Sequence, residues 1–378
     1  MKVMQLLPSL DDGGVERSTV EMARFLCARG VPNWVVADDG PLKAALQDAG
    51  TGHVALNVGQ KSPAAMLLNV RRLARLIDEA EIDVLHARSR LPAWVGWLAA
   101  RRSRRAPAFV TTFHGTYGHR GRLKRAYNAI MTRGPVVIAN SAFIADHLHS
   151  VYGIEKQRIV VAPRGIDPDA FDPAGVAPEC RQRLRDSWDA ARIPLLVLVA
   201  RIGQDKGHGR LIDALSTLRD LPWRMVFVGG GDASKLGREL QRKAAAHGLA
   251  ERIIFAGSRR DIPEVLSAAD LAFSVADTKP EAFGRAVIEA GAMRVPVIAT
   301  AHGGSLETVV PGKTGWLVPP GDGEALAQAI RDALSDPDRT AAMGEAARRH
   351  VLNHFTLEQT LEREFVVYRE LHAGRASR

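Results

Sequence analysis

Short apolar runs and amphipathic stretches alternate along almost the whole chain. Residues 3–7, 35–37, 84–87, 109–113, 136–139 and 159–162 read as strands. Between them, residues 15–29, 64–80 and 93–101 carry apolar positions at helical spacing. A Pro- and Asp-rich stretch, 163–178, breaks the rhythm and reads as a linker. Strands then resume at 195–199, 224–228, 253–255, 271–274 and 295–300, with helices between. Such alternation predicts α/β structure, with parallel sheets and right-handed crossovers. Two blocks of it predict two doubly wound Rossmann-like domains facing a central cleft, each taking ligands at the carboxyl ends of its strands. The expected division is 1–168 and 169–354. The amphipathic segment 357–371, within a tail 355–378, is expected to pack back onto the first domain.

Composition adds limits. The 378 residues, 46% hydrophobic and 25% charged, suit two globular domains. No apolar run approaches a membrane span, and the best, 193–200, belongs to a buried strand. The chain reaches Pro8, Asp11 and Asp12 too soon for a signal peptide. Of two cysteines, Cys27 and Cys180, the first lies in a predicted helix, which suits a reducing cytoplasm better than a disulfide framework.

Charge changes the picture more. The formal net charge of +9 is uneven: residues 1–170 hold 23 Lys/Arg against 15 Asp/Glu, and the remainder 28 against 27. Residues 84–145 carry 11 Lys/Arg and no acid, including Arg88, Arg90, Arg101, Arg102, Arg104, Arg105, Arg120, Arg122, Lys124 and Arg125. This window predicts a surface for an anionic membrane or a phosphorylated acceptor. Nucleic acid is not an expected partner, because Tyr117 and Tyr127 form no aromatic ladder and no binding motif is present.

The most informative stretch is KPEAFGRAVIEA, residues 279–290. Pro280 and Gly284 predict a loop that opens a helix, with Glu281 in the loop and Glu289 in the second helical turn. Main-chain N–H groups at such a helix start suit a diphosphate, and the two carboxylates suit sugar and ribose hydroxyls. Arg201 ends a strand, and Lys206 with Gly207 follows; the two cations suit a diphosphate leaving group. Gly-rich loops follow at 229–231, 302–307 and 311–322. In the first half, Gly13, Gly14 and Arg17 follow the first strand without a G-x-G-x-x-G fingerprint, which disfavours a dehydrogenase. His114 ends the strand 109–113 and is expected to face the cleft; a satisfied core histidine would look the same. Neither H-E-x-x-H, paired cysteines nor a D-x-D triplet suggests a metal, and no cofactor is expected beyond a nucleotide-diphosphate sugar as co-substrate.

Several of these motifs together resemble retaining glycosyltransferase family 4, of the GT-B fold. They are the E-x7-E run 280–297, Arg201 with Lys206 and Gly207, PRGID at 163–167, Gly303 and Gly304 with Glu307, and TGWLV at 314–318. The resemblance runs in order from Gly13 to about Asp322. FHGTY at 113–117 and PEAFGR at 280–285 look, more closely, like proteobacterial enzymes of lipopolysaccharide core or surface-glycan synthesis, mannosyltransferases among them.

The resemblance implies roles. Glu281 would hold the donor sugar's hydroxyls and Glu289 the ribose. Arg201 and Lys206 would bind the diphosphate without a metal. Phe283, Gly284 and Arg285 would present main-chain N–H groups. His114 would contact the transferred sugar, with Gly13, Gly14 and Arg17 bordering the acceptor. The first domain would take a glycan or glycolipid acceptor and the second the donor, GDP-mannose or a UDP-sugar, at the inner face of the cytoplasmic membrane. Arg285 departs from the pattern, standing where many members carry an aliphatic residue. The rival expectations are a sugar-nucleotide 2-epimerase of the same fold and a non-catalytic glycan- or lipid-binding protein; intact Glu281, Glu289, Arg201 and Lys206 argue against the latter.

Overall fold

A computed structural model describes residues 1–11, 13–118 and 121–376. The chain divides into two compact units, Met1–Pro163 with Thr360–Arg378, and Arg164–Gln359.

The N-terminal unit is built on seven strands: β1 Val3–Ser9, β2 Asn33–Asp38, β3 Gly52–Ala55, β4 Val84–Ala87, β5 Ala108–Phe113, β6 Val137–Ala139 and β7 Ile159–Val161. Their order is β3-β2-β1-β4-β5-β6-β7, every pairing parallel. The C-terminal unit holds β8 Leu195–Val199, β9 Arg224–Val228, β10 Ile253–Phe255, β11 Leu271–Ser274, β12 Val297–Thr300 and β13 Gly315–Val318. These run β10-β9-β8-β11-β12-β13, again all parallel. The order reverses between β1 and β4 in one sheet and between β8 and β11 in the other. A doubly wound sheet opens a crevice at such a reversal.

The core explains the near-continuous apolar runs. In β8, Leu196 and Leu198 enter one cluster with Leu211, Phe227 and Ile298. Leu195 and Val197 enter another with Trp188, Val226 and Val265. Successive side chains point to opposite faces, and both faces of β8 are packed, so an apolar run is what such a strand requires.

The helix Leu357–Ala376 begins in the C-terminal unit and completes the N-terminal one. A buried polar network holds it there. Arg88 donates to Glu364 through Nη2 at 2.7 Å and Nη1 at 3.4 Å, and through Nε to Gln5 at 2.9 Å. Beside them His86 bonds the Tyr368 hydroxyl at 2.6 Å and the Thr112 hydroxyl at 2.7 Å. Burial alone would lower the Arg88 pKa, but the Glu364 carboxylate holds it above its ordinary value. Burial pushes the Tyr368 phenol far up.

Several expectations need correction. Two strands, β3 and β13, were not anticipated. β3 is a short edge strand with no fully buried residue. β13 lies inside the Gly-rich stretch 311–322 and pairs along all of β12. The stretch 163–178 is not a bare linker. Ile166 is fully buried, and its main chain bonds Phe355 and Leu357 at 2.9 and 2.7 Å. Two members of the basic window are not free surface cations. Arg88 is wholly buried, because Glu364, far along the chain, draws it inward. Arg105 is tied to Asp83 at 2.6 Å. Arg120 lies outside the described residues.

Candidate active site

The carboxyl ends of β8 and β11 line a cavity of about 240 Å³ at the reversal point of the C-terminal sheet. Its walls come from Val199, Ala200 and Arg201 at and after the end of β8, and from Ser274, Val275 and Ala276 at and after the end of β11. Lys206 reaches in from the next loop, and Glu281, Gly284, Arg285 and Ala286 close the far side.

Glycines let these segments meet. Gly207 has φ +77, and a Cβ there would lie 1.9 Å from the Val275 carbonyl oxygen. Only glycine therefore turns Lys206 back against β11 and starts the helix His208–Ser216. At Gly303, φ +62, a Cβ would lie 2.4 Å from the Glu281 oxygen. The next residue, Gly304, donates its N–H to that oxygen at 2.9 Å. The loop carrying Glu281 is thus fixed from beneath by a second Gly-rich turn.

The charged groups come in pairs. Lys206 Nζ donates to Glu281 Oε1 at 2.5 Å, although 75 residues separate them. Arg285 Nε donates to Glu289 Oε1 at 2.9 Å. Arg201 is exposed on the cavity wall. These five side chains carry one net positive charge, and Gly284 and Arg285 stand at the start of the helix Arg285–Ala292, where main-chain N–H groups lack helical acceptors. An anion with vicinal hydroxyls attached is the ligand such a wall fits. Among the described residues, no group of three or more His, Cys, Asp or Glu side chains could hold a metal ion.

The structure therefore gathers Arg201, Lys206, Glu281, Gly284 and Arg285 at one cavity, with Glu289 behind Arg285. Phe283 differs: its side chain is buried against Phe355 and Ile288, so only its main chain is available to a ligand. Sequence reasoning missed Ser274, Val275 and Ala276. Their signal was positional, the end of the strand beside β8. It also missed His208, buried in the first turn after Gly207, where burial pushes the imidazole down to about 4 and the Lys206 charge adds to the effect.

In the N-terminal unit, Gly13 caps the helix Gly14–Ala28 after β1, and Arg17 lies in its first turn. His114 follows β5, half-buried, its carbonyl accepting from Asn140 Nδ2 at 3.3 Å. Both positions lie on the carboxyl edge of one parallel sheet. Near His114, Tyr117 packs on Phe113 with ring centroids 4.6 Å apart and lies under the Arg90 guanidinium. Burial pushes the Tyr117 phenol up to about 12.

Two doubly wound parallel units in one chain, the second with an Arg- and Lys-lined cavity at its reversal point, define the GT-B architecture. Comparisons with known proteins narrow this. The family described as "Glycosyltransferase Family 4" matches residues 12–170, and that described as "Glycosyl transferases group 1" matches residues 182–350. A GDP-mannose-dependent alpha-(1-6)-phosphatidylinositol monomannoside mannosyltransferase of Mycolicibacterium smegmatis is 33% identical over 297 residues, 75% of each chain. A glycosyltransferase structure from Rickettsia africae superposes with a TM-score of 0.91 at 34% identity, covering 98% of both chains. Anabaena HepE, solved with UDP and glucose, superposes with a TM-score of 0.85 at 25% identity over 98% of this chain and 100% of that one. The chain belongs to the family 4 glycosyltransferases.

Proposed function

We propose that this protein is a retaining, metal-independent hexosyltransferase of surface-glycan or lipopolysaccharide synthesis. In this reading it moves a hexose from GDP-mannose or a UDP-sugar to a glycan or glycolipid. The C-terminal unit takes the donor and the N-terminal unit the acceptor. The observation that carries the reading is the meeting of Lys206 and Glu281 in the cavity at the β8–β11 reversal. Arg201 and Lys206 neutralise charge that grows on the departing diphosphate, the interaction that lowers a barrier rather than merely binding substrate. Glu281 orients the sugar hydroxyls and Glu289 the ribose. The N–H groups of Phe283, Gly284 and Arg285 face the sugar and phosphates. The bond from the anomeric carbon to phosphate breaks as the bond to the acceptor oxygen forms on the same face, and the leaving phosphate takes the acceptor proton. Glu281, held by Lys206, serves hydroxyl binding in this scheme rather than covalent attack. His114 contacts the transferred sugar, and Gly13, Gly14 and Arg17 border the acceptor. The names of the mycobacterial relative and of the HepE complex support the donor class.

The same proposal places the protein at the inner face of the cytoplasmic membrane. Arg101, Arg102 and Arg104 are exposed at and just beyond the end of the helix Arg90–Arg102, and Arg122, Lys124 and Arg125 on the helix Arg122–Asn128. Aromatic rings join the two helices. Trp94 stacks on Tyr127 at 6.3 Å, Trp97 meets Trp94 edge-on, and Arg101 covers Trp97 at 5.0 Å. Leu123, 89% exposed, lies one turn before Tyr127. Apolar and aromatic tips among arginines suit an anionic lipid interface.

The deciding experiment is a screen of GDP- and UDP-sugars with a lipid-linked acceptor, with and without EDTA, scored by nucleoside diphosphate release. Acceptor-dependent release that survives EDTA supports the proposal. Activity abolished by EDTA and restored by a divalent ion defeats the metal-free mechanism. Conversion of the sugar nucleotide without an acceptor would favour a 2-epimerase.

A further inference from the structure

Arg285 and Glu289 form an ion pair that helix physics does not ask for. Arg285 is the first residue of the helix Arg285–Ala292. A cation there stands at the positive end of the helix dipole. A cation four residues before an acid is also the weaker order for a helical ion pair. Local rules are broken chiefly at functional or strained sites. The Glu289 side chain is 15% exposed, and a charged donor stabilises a carboxylate so largely withdrawn from water. Arg285 supplies one through Nε while lining the donor cavity.

We infer that Arg285 is a positioning residue: its guanidinium fixes the Glu289 carboxylate for the nucleotide, so nucleotide affinity depends on the Arg285 side chain through Glu289. This rests on the proposed function, because it requires Glu289 to bind the ribose. It adds a role for a side chain to which the resemblance assigned none.

Calorimetry with GDP and with UDP tests it on the full-length protein, using wild type, Arg285→Leu, Arg285→Lys, Glu289→Gln and the double variant Arg285→Leu/Glu289→Gln. For whichever nucleotide the wild type binds, Arg285→Leu should weaken affinity about tenfold, the scale of one charge-assisted hydrogen bond. Arg285→Lys should recover part of it. The double variant should bind no worse than Glu289→Gln alone, because the two residues act as one unit. Unchanged affinity in Arg285→Leu overturns the inference, as does a lower melting temperature with affinity intact. A full further tenfold loss in the double variant also overturns it, since Arg285 would then act on the ligand directly. Wild-type protein that binds neither nucleotide would defeat the proposed function, and the inference with it.

Discussion

The two units handle charge in opposite ways. In the N-terminal unit the Arg88–Glu364 pair is sealed in the core, bidentate, with Gln5 accepting from the guanidinium Nε–H. Its other arginines crowd the surface. In the C-terminal unit Lys206, Glu281 and Arg285 stand partly exposed on a cavity wall, with Glu289 paired behind Arg285. A buried pair that satisfies itself serves the fold; a half-exposed pair with room beside it is placed to exchange partners with a ligand. Burial and satisfaction, not residue type, separate the two.

The largest effect should come from breaking the sealed pair. Arg88→Ala leaves Glu364 buried without its cation and should cost about 3–5 kcal/mol of stability. Arg88→Met combined with Glu364→Leu should recover most of this, and urea unfolding measures both. Equal stability of Arg88→Ala and wild type would end the contrast.

Replacing Arg101, Arg102 and Arg104 with glutamine should come next. Each cation near an anionic surface contributes about 1 kcal/mol at low salt. Sedimentation with anionic vesicles should show weaker binding by the variant, and wild-type binding should fall as salt is raised. Nucleotide affinity should not change. Undiminished vesicle binding at low salt would leave these arginines as an ordinary solvated face.

On the open side, Glu289→Ala should weaken nucleotide binding by about 1–3 kcal/mol with little change in melting temperature. The reverse outcome, a lower melting temperature and intact affinity, would make this pair structural like the first.

The narrowest effect, confined to the acid limb of the stability profile, concerns His208. Its folded pKa of about 4 lies below the ordinary 6.5, so the unfolded chain binds more protons between those values. Stability should therefore decline as pH falls from 6.5 toward 4 and be insensitive to this group above 6.5. His208→Leu should flatten that part of the acid limb, read from urea midpoints across the range. An identical decline in the variant would remove the assignment.

How much of this was legible depended on range. β4, β8, β9, β10 and β11 matched the apolar runs residue for residue, because a strand covered on both faces admits little else. β3 and β13 escaped because their residues are only partly buried or carry a loop-like signature, and their pairing comes from neighbours distant in sequence. At the cavity, Arg201, Lys206 and Glu281 were identifiable from spacing. Their convergence, and the pairing of Arg285 with Glu289, required coordinates. Arg88 was misread for the same reason: a run of arginines suggests a solvated surface, and nothing local points to Glu364.

The helix Leu357–Ala376 has a consequence for synthesis. The unit translated first is the last that can be finished, because one of its core helices is encoded more than two hundred residues downstream of Arg88. While the ribosome makes the intervening unit, the nascent N-terminal sheet carries Arg88 without its carboxylate and His86 without the Tyr368 hydroxyl. Incomplete chains should therefore be targets for chaperones and proteases, whereas the intervening unit, contiguous in sequence, can close as soon as it emerges.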